Sequence, residues 1–85
     1  MTVIASPKFL REAKKVPHDI QNALKEKLIV FITDVHAPTL RVHKLSGILQ
    51  EHWSFSINYQ YRVLFRFHDN GDVVLISVGK HDDVY

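Results

Sequence analysis

The sequence predicts an α+β domain in which two N-terminal helices, an αα-hairpin, pack on one face of a small, mostly antiparallel four-stranded sheet. In the N-terminal half, apolar residues recur at spacings of three and four, which is typical of amphipathic helices. In the C-terminal half, apolar residues alternate with polar ones between turn-forming residues, which is typical of antiparallel strands. The expected order is therefore strand, helix, helix and three strands, in one domain that spans residues 1–85.

The N-terminal half is expected to form a short edge strand and then the two helices. Residues 2–5 are β-prone and predict the strand. Ser6 and Pro7 are a favoured pair at a helix start, and they predict a helix from Pro7 to about Lys15. A second helix is expected to end near Val35, and its apolar face consists of Ile20, Ala23, Leu24, Leu28 and Phe31.

The C-terminal half predicts a meander of three strands. His52–Asn58 and Tyr61–Phe67 each place large apolar side chains on one face and mostly polar ones on the other. Asn70-Gly71 predicts a tight hairpin turn, because this pair readily adopts positive φ angles. Val73–Val78 is apolar on both faces, as expected of a central strand. We expect the face opposite the helices to be open and polar, with Ser54, Ser56, Arg62 and Arg66 on it.

The composition limits the location and the partners of the protein. The chain has no cysteine, which excludes disulfides and thiolate metal sites. Its start lacks the features of a signal peptide, and its most apolar run, Leu28–Ile32, is too short to span a bilayer. We therefore expect a cytoplasmic protein with no membrane partner. The net charge of +2 is mild, and it permits an RNA or an acidic protein partner without requiring either.

Candidate residues for chemistry lie near the end of the predicted sheet. His81 follows the last strand and can act as a general acid or base, because an imidazole titrates near neutral pH. Arg62 can bind a phosphoryl oxygen through its guanidinium. His43, in a linker where a short extended piece is expected, can reach the same face, and Tyr85 can stack on a base. The residues alone leave open that the histidines are merely solvated and that Arg62 pairs with a carboxylate.

Two other uses of these residues have less support. His43, His52, His81 and Asp82 are possible ligands of zinc, but the chain lacks the H-x-x-x-H and H-E-x-x-H spacings of common zinc sites. Several serines are available for Ser-His-Asp hydrolysis, but no G-x-S-x-G motif is present. We therefore expect neither a metal nor another cofactor.

Four parts of the sequence resemble one protein family. They are Leu45-Ser46-Gly47, Trp53, YRVLF at residues 61–65 and ISVGKHDDVY at residues 76–85. Together with the order of the predicted elements, they are similar to the RelE/ParE superfamily of bacterial toxin–antitoxin toxins. The similarity is greatest to the RelE, YoeB and YafQ branch of ribosome-dependent mRNA interferases, and it covers nearly the whole chain.

The resemblance implies a growth-inhibiting endoribonuclease that cuts mRNA in the ribosomal A site without a metal, by attack of a ribose 2′-OH on the adjacent phosphate. Arg62 matches the family's strand arginine, which stabilises charge on that phosphate. His81 and His43 match histidines of YafQ-like members, and Tyr85 matches the family's C-terminal aromatic residue. Further candidates for contacts with RNA are Lys44, Lys80 and Arg66.

The sequence also departs from the family pattern. Ser56 and Gln60 stand where YafQ-like members carry a further His and Asp, and residues 49–56 hold none of the lysines that RelE carries there. Two alternatives therefore stay open: a gyrase-poisoning toxin of the ParE branch, and a catalytically weak module that only binds an antitoxin and acts as a co-repressor. In every case the resemblance implies a cognate antitoxin with an acidic binding segment.

Overall fold

The computed structural model describes residues 2–45 and 51–81, which form two helices, a short 3-10 turn and a five-stranded mixed sheet. The α+β class and both helices are as predicted, but the sheet has one strand more than expected. In space the strands follow the order β1-β5-β4-β3-β2, with β1 parallel to β5 and the other pairs antiparallel. The elements are β1 (Val3–Ala5), α1 (Pro7–Ala13), α2 (His18–Thr33), β2 (His43–Lys44), β3 (Trp53–Ser56), β4 (Tyr61–Phe67) and β5 (Val73–Lys80).

The additional strand, β2, arises from the linker between the helices and the sheet. Pro38–Leu40 form one 3-10 turn, and the side chain of Leu40 is fully buried. Arg41 then adopts the left-handed conformation, with φ 52°, and the chain turns so that His43 pairs with Ser54. The prediction of four strands is wrong here, because a strand of two residues is too short to show the alternation that identifies strands in a sequence.

Helix α1 begins where the sequence predicts. The Oγ atom of Ser6 accepts a hydrogen bond from the Phe9 N–H (3.1 Å) and donates one to the Ile76 carbonyl (3.0 Å). One side chain therefore caps the helix and attaches it to β5. The helix ends at Ala13 rather than near Lys15, because the N–H of Lys15 bonds to the carbonyl three residues earlier and closes a tighter turn.

Helix α2 packs its apolar face against one face of the sheet, as predicted. The ring of Phe31 lies in the centre of this core, 4.8 Å from the ring of Phe55 and 4.9 Å from that of Phe65. The helix ends two residues earlier than expected. Asp34 is extended, and its carboxylate accepts a hydrogen bond from the N–H of His36 (3.0 Å), a local interaction that competes with the helix.

The hairpin between β4 and β5 lies at the predicted Asn70-Gly71 pair, but the turn is longer than expected. The N–H of Gly71 donates to the His68 carbonyl (2.9 Å), and the N–H of His68 donates to the Asp72 carbonyl (2.7 Å). Within this turn only Gly71 has a positive φ, of 86°. The pattern is that of a three-residue hairpin loop that ends in a left-handed glycine.

Strand β5 lies inside the sheet, as predicted, and two elements complete its outer edge. β1 pairs with Val73–Leu75. Further along, α1 takes the place of a strand: the carboxylate of Glu12 accepts hydrogen bonds from the Ser77 hydroxyl (2.7 Å) and the Val78 N–H (3.2 Å). The Glu12 carboxylate therefore provides hydrogen-bond acceptors along a part of the β5 edge that the short strand β1 does not reach.

The sheet face opposite α2 is closed along its centre, so the expectation of a fully open polar face is wrong. His43 lies against Ser54, with Nε2 and Oγ 3.4 Å apart, and the serine side chains along this face are buried. Arg66, towards one end of β4, is exposed as expected. The side chains at the centre of this sheet face, between 0% and 8% exposed, are Ser54, Ser56, Leu64 and Ser77.

No helix in the described residues is both long and apolar enough to cross a membrane.

Candidate functional site

A cleft of about 560 Å³ opens at the end of the sheet where β3 turns into β4 and where β5 ends. Its walls come from α2, the segment around the 3-10 turn, the β3–β4 hairpin and the residue after β5. We call it the basic cleft, because no aspartate or glutamate is among its described lining residues. The side chains that bring charge or an aromatic ring to it are Lys27, Arg41, Tyr59, Arg62 and His81.

The electrostatics of the basic cleft favour an anionic ligand. Lys27, Arg41 and Arg62 carry permanent positive charges, and His81 adds an imidazole. A concave surface that is lined by cations concentrates positive potential and attracts phosphate groups. Guanidinium groups in particular match the geometry of phosphoryl oxygens.

Arg62 is held in the cleft by its own strand and by the hairpin before it. On β4 it pairs with Ser56 on one side and Gly79 on the other. Its Nη1 atom donates to the carbonyls of Asn58 (2.6 Å) and Tyr61 (3.2 Å), so its partners in the described residues are carbonyls rather than a carboxylate. Its donors on Nε and Nη2 have no hydrogen-bond partner in the part of the chain described, and they are available to a ligand.

The β3–β4 hairpin is a rigid wall of the cleft. The Oδ1 atom of Asn58 accepts hydrogen bonds from the N–H groups of Gln60 and Tyr61, each at 2.9 Å. The carbonyl of Gln60 accepts a third bond from the N–H of His81 (3.0 Å). Tyr59 lies between these anchored residues, and its side chain is 91% exposed.

The structure brings His81 and Arg62 into the same cleft. Arg62 pairs with Gly79, and His81 follows two residues later at the end of β5. The bond from the His81 N–H fixes its backbone beside the hairpin. Two of the residues singled out in the sequence therefore meet at one site because β4 and β5 are antiparallel neighbours.

His43 lies on the same sheet face but does not line the cleft. Its Nδ1 atom is 3.1 Å from the Arg41 carbonyl, and since a carbonyl can only accept, Nδ1 carries a proton. In the neutral ring Nε2 then accepts from the Ser54 hydroxyl at 3.4 Å, a long bond that a better donor can replace. The strand register places the Cα atoms of His43 and Arg62 roughly 12 Å apart.

The other candidates are dispersed. Lys44 pairs with Trp53 and is exposed at the edge of the sheet. Lys80 pairs with Tyr61 and lines a different cavity, which it shares with Glu12. Arg66 is exposed near the opposite end of β4 from Arg62.

Several predicted features fall outside the described residues. They are Tyr85, Asp82 and two residues of the Leu45-Ser46-Gly47 motif, Ser46 and Gly47. Among the residues that are described, no group of three or more histidine, aspartate or glutamate side chains is arranged to hold a metal ion.

Sequence reasoning did not single out three of the side chains that bring charge or an aromatic ring to the described part of the basic cleft. Lys27 lies on α2 outside the apolar face that the sequence predicts, and Arg41 had no sequence signal, since it reaches the cleft through the left-handed turn that it occupies. Tyr59 did have a signal: it is an aromatic residue in the middle of a polar hairpin loop, away from the apolar faces of both strands.

A second surface lies between α1 and α2. It is an apolar groove of about 270 Å³ in which Leu10 is 51% exposed. Lys14 and Lys25 are also part of its lining, so the groove combines apolar area with positive charge. The apolar residues that line it are Phe9, Leu10, Ala13, Leu24 and Leu28.

Comparison of this sequence with models of protein families gives a match over most of the chain. The model of the HigB-like toxin family, described as the RelE-like toxin of type II toxin–antitoxin system HigB, matches residues 8–81. A search of curated proteins with this sequence gives no significant match.

Solved structures give the same fold. YafQ from Escherichia coli BL21(DE3) superposes with a TM-score of 0.81 at 13% identity, over 98% of this chain and 96% of that one. A chain of the RelBE2 toxin–antitoxin complex from Mycobacterium tuberculosis gives 0.77 at 23% identity, over 94% and 96%. A chain of the E. coli DinJ–YafQ toxin–antitoxin complex gives 0.74 at 15% identity, over 98% and 94%. At these identities the superpositions show a shared fold.

Proposed function

Because this chain belongs to the HigB-like family of RelE-like toxins of type II toxin–antitoxin systems, we propose that it is an mRNA endonuclease whose active site is the basic cleft. The observation that carries this proposal is the placement of Arg62 and His81 together in a cleft that also holds Lys27 and Arg41 and has no described carboxylate. Such a site offers charge stabilisation and proton transfer at one phosphate.

The proposed reaction is an intramolecular transesterification. The ribose 2′-oxygen forms a bond to the adjacent phosphorus, and the bond from phosphorus to the 5′-oxygen breaks. A base removes the 2′-OH proton and an acid protonates the leaving 5′-oxygen, which leaves a 2′,3′-cyclic phosphate and a 5′-hydroxyl. The chemistry itself needs no redox partner and no water.

Arg62 suits the stabilisation of the phosphorane-like transition state. Bonds to the hairpin carbonyls already orient its guanidinium, so little reorganisation is needed when negative charge develops. We propose His81 as one of the proton-transfer groups, because its backbone is fixed beside the same hairpin. His43 is proposed as the other, since its Nε2 is basic in the tautomer that the Arg41 carbonyl selects.

We further propose that the substrate is mRNA presented by the ribosome, in the cytoplasm. The basic cleft attracts any phosphate backbone, and it contains no described element that distinguishes one codon from another. The ribosome, which holds single-stranded mRNA in a fixed register, would position the scissile phosphate in the cleft. Lys44, Lys80 and Arg66, dispersed and exposed, are then proposed to contact ribosomal or messenger RNA around the cleft.

The proposed protein partner is a cognate antitoxin, as the toxins of the RelBE2 and DinJ–YafQ complexes have. The groove between α1 and α2 suits an amphipathic helix with acidic flanks, because apolar residues line it beside Lys14 and Lys25. Leu10→Asp should prevent co-purification with the antitoxin. Ile29→Asp, which changes an exposed residue of α2 outside the groove, is the control. Equal co-purification of both variants would contradict this placement.

The experiment that tests the proposed activity is primer extension on a reporter mRNA in the presence of ribosomes. Wild-type protein should give cuts within codons, and Arg62→Ala should lower the cleavage rate roughly 100- to 1000-fold. Arg62→Lys should recover only part of this loss, because an ammonium lacks the paired donors of a guanidinium. Arg11→Ala removes an exposed arginine of α1 and should cleave like the wild type.

A single 2′-deoxy substitution at the scissile nucleotide tests the mechanism. It should abolish cleavage at that position and leave other positions unaffected, because the nucleophile is missing. Undiminished cleavage of the deoxy position would refute attack by the 2′-OH. Equal activity of the Arg62→Ala and Arg11→Ala variants would refute the assignment of the basic cleft.

A further inference from the structure

We infer that Tyr59 is a stacking platform for a nucleobase of single-stranded RNA, next to a phosphate-binding pair formed by Lys27 and Arg41. This inference rests on the proposed function and deepens it, since it adds a base-binding subsite to the site of Arg62 and His81. The subsite lies on the β3–β4 hairpin, whereas the aromatic residue implied by family resemblance lies at Tyr85, outside the described residues.

The exposure of Tyr59 is the first observation. At 91%, it is the most exposed of the large hydrophobic side chains in the described part of the chain; the next, Ile29, is 68% exposed. The ring therefore contributes almost nothing to the core. It is an aromatic side chain in a hairpin loop that is otherwise polar. An aromatic ring that is fully presented to solvent beside a basic cleft is the arrangement by which proteins bind unpaired bases.

The rigidity of the hairpin is the second observation. Asn58 holds the N–H groups on the far side of Tyr59, and the guanidinium of Arg62 bonds to the Asn58 carbonyl. The N–H of His81 fixes the Gln60 carbonyl. Since the residues on both sides of Tyr59 are anchored, stacking a base on the ring costs little ordering of the backbone. The same bonds tie the platform to Arg62 and His81.

The third observation is the position of Lys27 and Arg41. Both line the cleft with Tyr59, and they come from elements other than the strands that carry Arg62 and His81. Arg41 has a φ of 52°. This left-handed conformation is energetically unfavourable for any residue that has a Cβ atom, and it is found preferentially at functional sites. Because Lys27 and Arg41 line the same cleft as Arg62, they can hold a phosphate that neighbours the phosphate bound by Arg62.

The charge of the surroundings distinguishes RNA from a protein ligand. An exposed tyrosine is also common in protein interfaces, where the partners of cations are carboxylates. Here three cationic side chains line the same cleft as one aromatic ring. Cations beside an aromatic ring match a backbone of phosphates and bases, since every base offers a π-face and every linkage a negative charge.

The test is a binding titration with a six-residue oligonucleotide that carries 2′-O-methyl riboses and cannot be cleaved. Tyr59→Ala should bind this strand roughly 5- to 150-fold more weakly than the wild type. Tyr59→Phe and Tyr59→Trp should bind within about twofold of the wild type, because they keep the ring. A strand with the same phosphates but without bases should bind equally to all four proteins.

Fluorescence of Tyr59→Trp gives an independent readout. Its emission should be quenched by the base-bearing strand and not by the abasic strand, while the native Trp53, which does not line the cleft, should respond little. Unchanged binding by Tyr59→Ala, or equal weakening for both strands, would overturn the platform. If Tyr59→Ala binds RNA normally but no longer binds the antitoxin, Tyr59 belongs to a protein interface, and the stacking platform is overturned as well.

The outcomes separate this inference from the proposed activity. If the wild type cleaves mRNA and Tyr59→Ala binds RNA normally, the platform alone is wrong. If the wild type does not cleave, but the base-bearing strand quenches Tyr59→Trp, the platform holds and the endonuclease assignment is wrong. Because Tyr59 is exposed, its variants should have nearly the same Tm as the wild type, which thermal denaturation checks.

Discussion

Glu12 joins α1 to β5, and replacing it with alanine is expected to destabilise the fold substantially. Its carboxylate accepts hydrogen bonds from the Ser77 hydroxyl (2.7 Å) and the Val78 N–H (3.2 Å), and both of these residues are at most 2% exposed. A buried donor without a partner costs roughly 1–3 kcal/mol. Two donors lose their acceptor, and since Glu12 is only partly buried and water can partly replace its bonds, we expect a loss near the lower end of the sum, about 2–3 kcal/mol.

The assay is urea unfolding at constant pH, with thermal unfolding as a second measurement. For a domain of this size, 1 kcal/mol corresponds to roughly 4–8 °C, so Glu12→Ala should lower Tm by about 10–20 °C. Glu12→Gln keeps an acceptor oxygen and should lose only about 1 kcal/mol. Glu26→Ala, at an exposed position of α2, is the matched control. If Glu12→Ala were as stable as Glu26→Ala, the carboxylate would not be what completes the edge of β5.

Three further predictions concern the core, the cleft and the turn. Phe31→Ala should cost roughly 3–5 kcal/mol in urea unfolding, because the ring fills the space between those of Phe55 and Phe65. Arg41→Asn should keep or raise Tm, since asparagine tolerates the left-handed conformation, while the binding of single-stranded RNA weakens. Gly71→Ala should cost about 1–2 kcal/mol through its positive φ alone, because nothing lies within 4 Å of the added Cβ atom.

The parts of the fold that were predictable are those with a local signal. The spacing of apolar residues around Phe31 identified α2, and the antiparallel order of β4 and β5 was enough to expect Arg62 and His81 at the same end of the sheet. The end of α2 was not predictable from periodicity, because it depends on one hydrogen bond between Asp34 and His36. Strand β2 depends on the left-handed turn at Arg41, which a non-glycine residue seldom adopts.

The serines on the far face show a different limit of sequence reasoning. Alternation correctly assigned Ser54 and Ser56 to the face opposite the core, but it does not say whether that face is covered. Both side chains are buried, and Ser56 also lines the basic cleft beside Arg62. The family resemblance implies a further catalytic group at the position of Ser56, which here offers only a short hydroxyl. In the proposed reaction, proton transfer would then depend more on the two histidines.

A double-mutant cycle on His43 and His81 tests that dependence. If both transfer protons in one transition state, each single substitution should lower the single-turnover cleavage rate roughly 100- to 10,000-fold. The double variant should then lose less than the product of the two effects, because groups that act as a unit are not additive. His43→Asn is the informative change, since its amide N–H can replace Nδ1 in the bond to the Arg41 carbonyl but supplies no basic Nε2. If His43→Asn cleaves like the wild type while His43→Ala does not, His43 only positions the turn at Arg41, and the base must lie elsewhere.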